Sequence, residues 1–281
     1  MKHQKLKPAD EAFWRFTWDE VGLLDVPACV EHILAVTGAK TVGYVGHSEG
    51  TTAGFVAASR SSVAQKLNSL VMLAPVANIT TLGAHKLFEW LVKLGESAMY
   101  KTMGRKEFLE QTPFLKKWGP EFCHFFPKIC EDILFLFCGF TGGKNFNASR
   151  FEVYYAHTPC GTSIENMGHW LQMVETTKYM MFDFGSQQKN IEHYGQPHPP
   201  DYKLHDITAP VALFTGDKDP LATPGNVRAL ISQLATPPFH HAEPEYEHMD
   251  FAWGIDAHIK LYPTIIQQLR KGVQSAHQKQ L

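Results

Sequence analysis

Between residues 17 and 36 the apolar positions Val21, Leu24, Ala28, Ile33 and Leu34 recur near helical spacing, and Gly38 follows as a stop, so an amphipathic helix is predicted there. Residues 41–46 then form a short apolar strand. Ser48 follows at once, and residues 51–59 (TTAGFVAAS) are small and apolar enough for a helix packed closely under a sheet. Two further strands are predicted at 69–74 (SLVMLA), ending at Pro75, and at 211–215 (VALFT), following Pro210. Proline at these borders suits strand ends, because it cannot donate to a ladder. A helix over 223–234, a last strand over 239–243 and a closing amphipathic helix over 257–271 complete the pattern. Strands alternating with helices predict an α/β fold with a mostly parallel sheet flanked by helices.

Residues 79–206 break this rhythm. Their helical pieces are separated by Pro and Gly, are rich in Phe, Trp, Tyr and Met, and run far beyond an ordinary connection within an α/β unit. We read them as an inserted helical cap, which divides the chain into a first core part (1–78), the cap (79–206) and a second core part (207–281). The most apolar piece of the cap, 133–140 (ILFLFCGF), is too short to span a bilayer and reads as a buried helix.

Composition narrows the partners. The chain has 281 residues, 44% of them hydrophobic, enough for one substantial core. Its 26 basic and 28 acidic residues are mixed along the chain and leave a formal charge of -2, so no electrostatic footprint for nucleic acid or an anionic membrane is present. A small-molecule or lipid partner is expected. The polar, basic start Met1 to Pro8 has no apolar run behind it, so neither a signal peptide nor a transmembrane segment is predicted. The five cysteines, Cys29, Cys123, Cys130, Cys138 and Cys160, include no Cys-x-x-Cys pair for zinc or redox work, and by themselves read as buried free thiols. Neither a metal nor a cofactor is expected. Asn78 and Asn147 each begin an Asn-x-Ser/Thr triplet, a glycan acceptor if the protein is secreted.

Gly46-His47-Ser48-Glu49-Gly50 is a Gly-x-Ser-x-Gly elbow lying after an apolar strand and before a helix, where nucleophilic chemistry needs it. The serine has to take a strained backbone conformation to project its hydroxyl above the sheet, and glycines two residues to either side are expected to leave room for strand and helix to pass. A serine hydroxyl is a poor nucleophile by itself and needs a histidine base, held in its tautomer by a carboxylate. In such folds the order is serine, acid, histidine. The turn Gly216-Asp217-Lys218-Asp219-Pro220 after the third strand offers two carboxylates, Asp217 and Asp219. Glu247-His248-Met249-Asp250-Phe251 places His248 in the loop after the last strand, with His240 and His241 as the fallback among 15 histidines.

These residues also resemble a known group. Gly46-His47-Ser48-Glu49-Gly50-Thr51-Thr52 is similar to the elbow of the acid lipase family of α/β-hydrolases, which contains gastric and lysosomal acid lipases. Phe13-Trp14-Arg15-Phe16-Thr17-Trp18-Asp19-Glu20 and Asp25-Val26-Pro27-Ala28 resemble the family's lead-in helix, and Leu73-Ala74-Pro75-Val76-Ala77 its following strand end. Phe137-Cys138-Gly139-Phe140, Pro159-Cys160-Gly161-Thr162-Ser163, His169-Trp170 and Phe182-Asp183-Phe184-Gly185 are similar to its cap signatures. The resemblance covers nearly the whole chain. It implies Asp219 rather than Asp217 as the triad acid, through Lys218-Asp219-Pro220-Leu221-Ala222, and His248 as the base, through His248-Met249-Asp250-Phe251. It also implies a cap disulfide between Cys123 and Cys130, with Cys138 free.

The chemistry so implied is two-step ester hydrolysis of neutral lipids, triacylglycerol or steryl ester, through an acyl-serine, with the cap touching the lipid-water interface and a lysosomal or secreted location. The backbone N–H of Glu49 is one oxyanion donor. The family's second donor lies in a segment before the elbow, and since Met1 begins close to the lead-in helix, the chain is expected to be N-terminally truncated, with its elbow strand left as an edge. Losing a donor typically costs about 2.7–4 kcal/mol in the transition state. The alternative function is therefore an inactive fragment or pseudoenzyme of the same family. Glu49 also replaces the family's glutamine, and a small effect on the oxyanion is expected from its carboxylate.

Overall fold

The computed structural model describes residues 3, 5–59, 61–79, 90, 93–109, 112–126, 128–130, 132, 145–158 and 160–278. Four strands, β1 (Val42–His47), β2 (Leu67–Leu73), β3 (Val211–Gly216) and β4 (Phe239–Glu243), form one sheet in the order β1-β2-β3-β4. Every neighbouring pair is parallel. Parallel neighbours need long crossovers, which the helices supply. β2 is buried at all seven positions, as a central strand with no polar face must be. Among the described residues β1 pairs with β2 alone, and its Val45 is exposed.

All four expected strands are present, with ends displaced by no more than two residues. The lead-in helix differs more. Thr17 caps a turn over Trp18–Glu20 in a capping box with Glu20, a π-helical stretch follows over Val21–Asp25, and only then does α1 (Val26–Thr37) run as an α-helix. The cause is Pro27, which has no N–H to offer the preceding turn, so the ladder slips by one residue and the N–H of Val26 donates to the carbonyl of Val21. Pro263 acts similarly at the other end of the chain. The closing helix is split into Ala257–Lys260 and a longer piece, Tyr262–Gln278.

After the elbow, α2 (Glu49–Ala58) is buried from Thr51 to Ala58. Between β2 and β3 the described residues form α3 (Glu96–Met103), α4 (Pro113–Phe125), α5 (Phe151–His157), α6 (Ile164–Thr176) and α7 (Gln187–Tyr194), plus a two-stranded antiparallel ladder of Glu107–Phe108 with Thr162–Ser163. The apolar piece 133–140 and Cys138 lie outside the described residues. α6 is no loose cover, because Ile164, Met167 and Leu171 belong to the same apolar cluster as Leu70, Met72 and Phe214 of the sheet. α8 (Pro224–Gln233) follows β3, and the closing helix, α9 (Tyr262–Gln278), packs on β2.

A buried polar knot ties the lead-in segment to this middle region. Asp19 accepts from the backbone N–H of Phe182 at 2.8 Å and from the hydroxyl of Tyr202 at 2.7 Å. Trp18 stacks on His169 of α6 with 3.6 Å between ring centroids. Burial pushes the Asp19 carboxyl up to about 7, against the hydrogen bonds from Tyr202 and Phe182, and burial pushes the neighbouring His169 down to about 3. The two shifts act oppositely on stability. Between 3.8 and about 7 the unfolded chain ionises Asp19 while the folded chain resists, so this contribution is lost as pH rises. Buried neutral His169, and His47 likewise, contribute stability that is lost as pH falls below their ordinary value. The informative quantity is therefore a difference between variants. Asp19→Asn, which cannot ionise, should gain stability relative to wild type as pH rises from 4 to 7.5, by on the order of 3 kcal/mol. Parallel pH curves for the two proteins in chemical denaturation would remove Asp19 as a titrating group.

Candidate active site

The carboxyl ends of three strands deliver three side chains to one point, as expected where open α/β sheets bind ligands. Ser48 ends β1 and caps α2 with φ 55° and ψ −125°, a backbone conformation that L-residues avoid. Its N–H still donates to the carbonyl of Leu73, extending the sheet by one bond. Asp219 lies in the turn after β3 and His248 in the loop after β4. The His248 Nε2 is 2.7 Å from the Ser48 Oγ, and its Nδ1 is 2.9 Å and 3.1 Å from the two Asp219 carboxylate oxygens.

The same geometry separates the alternatives. Asp217 is exposed at the surface of its turn, whereas Asp219 is buried and also accepts from the N–H groups of Leu221 and Ala222, each at 2.8 Å. Burial alone would raise the Asp219 carboxyl, but the facing His248 and those two N–H donors outweigh it and hold the group below its ordinary value. An ionised acceptor at Nδ1 keeps the proton there and leaves Nε2 free to accept from the serine. His240 instead meets Thr215 and His241 meets Glu243 on β4, so neither reaches Ser48. Gly216 makes room for the approach of acid turn to histidine loop: a Cβ there would lie 2.2 Å from the carbonyl of Tyr246.

Several supports carry no sequence motif of their own. The Thr51 Oγ1 donates to the carbonyl of Ser48 at 2.6 Å and accepts from the N–H of Val76 at 2.8 Å, tying the elbow to the end of β2. Tyr44 donates to the carbonyl of Gly50 at 2.6 Å. His47 donates from Nε2 to the carbonyl of His248 at 2.8 Å, and burial, then the nearby His248, lower it to about 4, so it stays neutral with its proton on Nε2. Glu49, the first residue of α2, accepts at one carboxylate oxygen from the Asn166 Nδ2 at 2.8 Å and the Trp170 Nε1 at 2.9 Å. Its backbone N–H, at a helix start, has no acceptor within the helix. Alternating polar and apolar residues flag none of these, and the partners His248 of His47, Val76 of Thr51, and Asn166 and Trp170 of Glu49 lie on distant elements.

Beside Ser48 a cavity of about 300 Å³ is lined by Val76, Ile79, Phe108, Leu109, Met167, Trp170, Leu221 and Met249 together with His47, Glu49, Thr162 and His248. Its wall is mainly apolar, with polar side chains at His47, Glu49, Thr162 and His248. Among the described residues no cluster of three or more potential metal ligands occurs, and no helix is long and apolar enough to cross a membrane.

Elsewhere, Cys123 and Cys130 are disulfide-bonded, while Cys29 and Cys160 are free and exposed, so the expectation of buried free thiols fails at all four. The two triplets differ as well. Asn147 is half-buried, but Asn78 is buried, donates to the carbonyl of Thr177 and accepts from Gln233, leaving no room for a glycan in the folded chain.

The family model for the alpha/beta hydrolase fold matches residues 7–255. The chain is 41% identical over 273 residues to human lysosomal acid lipase/cholesteryl ester hydrolase, covering 96% of this chain and 68% of that protein. It is 38% identical to gastric triacylglycerol lipase from Rattus norvegicus over 273 residues, 95% of this chain and 68% of the relative. Among solved structures, a soluble variant of monoglyceride lipase from Saccharomyces cerevisiae, in complex with a substrate analog, shares the fold with a TM-score of 0.57 at 12% identity, over 94% of this chain and 73% of that one.

The elbow also corrects an expectation. A Cβ on Gly46 would lie 2.6 Å from the backbone oxygen of Gly50, but a Cβ on Gly50 meets nothing nearer than the Tyr44 hydroxyl at 3.9 Å. Only the first glycine is sterically required. Gly46→Ala should cost about 1–3 kcal/mol through overpacking against backbone, while Gly50→Ala, in a helix, should be neutral or stabilising by up to about 1 kcal/mol. Denaturant melts of the two variants check this, and equal losses would refute the asymmetry.

Proposed function

The chain belongs to the α/β-hydrolase fold family and, within it, to the acid lipases, and on that premise we propose that it is a serine hydrolase cleaving carboxylic esters of neutral lipids, triacylglycerol or steryl ester. The observation that carries this reading is the continuous hydrogen-bonded line Ser48, His248, Asp219 beside an apolar cavity. His248 takes the serine proton at Nε2 as the Oγ attacks the ester carbonyl. Asp219 stabilises the imidazolium that forms. The tetrahedral oxyanion meets the Glu49 N–H at the start of α2, where the helix dipole adds to the attraction. The imidazolium then gives its proton to the departing alcohol, an acyl-serine remains, and water activated by the same histidine releases the fatty acid. The cavity's Phe108, Leu109, Met167 and Trp170 suit an acyl chain, which gains about 0.8 kcal/mol per buried methylene.

A patch on the middle region supports contact with a lipid-water interface. Trp118 and Phe122 lie one helical turn apart on α4, and Phe125, Phe126 and Ile129 continue the patch within the loop closed by the Cys123–Cys130 disulfide, all five exposed. Apolar patches of this kind on a polar surface mark interaction sites. The Cys123–Cys130 disulfide and the half-buried Asn147 accord with passage through an oxidising compartment to a lysosomal or secreted location.

A fluorophosphonate probe should label the wild-type chain at Ser48 and fail on Ser48→Ala, and His248→Ala should lower turnover of a short-chain ester by roughly 10⁴-fold or more. No labelling of a folded wild type would favour the inactive-relative reading. Phe125→Ser with Trp118→Ser should lower hydrolysis of emulsified triacylglycerol several-fold more than that of a soluble ester. Equal losses on both substrates would refute the interfacial role.

A further inference from the structure

Glu49 has a side chain whose placement the proposed chemistry does not by itself explain. It lines the cavity beside Ser48, at the head of α2, yet both of its described side-chain hydrogen bonds go to α6: one carboxylate oxygen takes the Asn166 Nδ2 and the Trp170 Nε1. Both donors are buried, and Asn166 is anchored in turn by Thr162, to whose hydroxyl the same Nδ2 donates at 3.1 Å. Without an acceptor at this point, the buried Trp170 N–H would lose its partner and Asn166 would keep only Thr162.

We propose that Glu49 is a positioning residue that pins its own backbone N–H, the oxyanion donor, against α6, and that it does so as an uncharged acid. The inference rests on the reading of Ser48 as nucleophile. The tie runs from Trp170 and Asn166 through a single carboxyl to the one peptide unit whose N–H must stay aimed at the developing charge. Small displacements of such a donor matter, because its stabilisation depends on reaching the position of the oxyanion rather than of the ground-state carbonyl.

The uncharged form follows from the surroundings. The α6 groups facing Glu49 are Asn166 and Trp170, both neutral, and the adjoining Thr162 is neutral too. On the same helix Glu165 is engaged by Arg105 at 2.9 Å. From β1 and its end come Tyr44 and neutral His47, and the loop after β4 brings His248, which is committed to Ser48 and Asp219. No cation pairs with the Glu49 carboxyl among the described residues, and burial pushes it up, against the hydrogen bonds from Trp170 and Asn166. The neutral acid still accepts both hydrogen bonds at one oxygen, whereas its anion would set a negative charge beside the oxyanion. A folded group raised above its ordinary value is neutral on the acidic side and ionises as pH rises, so the catalytic cost appears at higher pH.

Two measurements test this. Glu49→Gln keeps the acceptor oxygen and cannot ionise, and should match the wild-type kcat on a soluble short-chain ester within about twofold on the acidic side and exceed it severalfold at pH 8. Glu49→Leu keeps the bulk without the acceptor and should lose roughly tenfold or more in kcat at every pH, with KM changed less than about threefold. Trp170→Phe, which removes one donor, should fall between. Independently of turnover, the indole N–H proton resonance of Trp170 should be retained in Glu49→Gln and shift in Glu49→Leu. An unmoved resonance, an unimpaired Glu49→Leu, or a Glu49→Gln as impaired as Glu49→Leu overturns the proposal. If instead the resonance moves as expected while the wild type neither labels nor hydrolyses, the hydrolase reading fails and the tie stands.

Discussion

Ser48 holds a backbone conformation worth roughly 1–3 kcal/mol of strain, and the surrounding structure is organised to keep it there. Left to relax, the residue would carry its hydroxyl away from the ends of the strands and the remaining chemistry would have no nucleophile. Three hydrogen bonds brace the turn: Thr51 to the Ser48 carbonyl, Val76 to Thr51, and Tyr44 to the Gly50 carbonyl. At about 1 kcal/mol net each, they are of the same size as the strain they oppose. Thr52 adds a fourth by donating to the carbonyl of Val76, so the segment after β2 holds α2 at two adjacent residues. The bracing side chains, Tyr44 on the strand and Thr51 and Thr52 on the helix, lie outside the pentapeptide, which explains why the motif alone is a weaker signal than the motif with its strand and helix.

Convergence of the other two groups follows from the sheet. In a parallel sheet every strand points the same way, so residues that directly follow β1, β3 and β4 gather at one end although up to 200 positions separate them. That is why Ser48 and His248 could be picked out from order and context, without knowing the fold in detail. The choice between Asp217 and Asp219 could not be made so. Both follow the same strand, and what distinguishes them is that Asp219 is buried among Leu221, Ala222 and His248 while Asp217 is exposed, a property of the folded turn that two aspartates in one pentapeptide do not announce. There the resemblance to the acid lipases decided a point that residue chemistry left open.

Where local pattern and tertiary packing disagree, the reasons are specific. The lead-in stretch has helical periodicity throughout, but Pro27 removes one donor and shifts the ladder into a π turn. Periodicity registers apolar spacing, not the loss of a single N–H. Gly50 looks as necessary as Gly46 because both belong to the motif, yet only Gly46 faces backbone across the turn. Asn78 sits in a formally good triplet but points inward to Thr177 and Gln233. Asp19 and Trp170 are visible in the sequence only as parts of recognisable strings, and Asn166 belongs to none. Their roles depend on partners more than 100 positions away, which no window of sequence contains.

The site's two carboxyl groups, Asp219 buried and Glu49 half-buried, show how one environment can produce opposite charge states. Burial acts on both in the same direction, upward. Asp219 meets the developing positive charge of His248 and two backbone N–H groups that both donate to its Oδ1, and it ends below its ordinary value. Glu49 meets two neutral donors converging on one oxygen and no cation among the described residues, and it ends above. Hydrogen bonds alone do not offset desolvation here, and a facing charge does. The consequence is a division of labour in which the carboxylate behind the histidine is charged when the imidazolium forms, and the carboxyl beside the oxyanion is neutral when negative charge develops. Exchanging the two states would oppose both steps of acyl transfer, so the polarity of the two carboxyl groups acts on the same transition state that the 2.7 Å contact between Ser48 and His248 sets up.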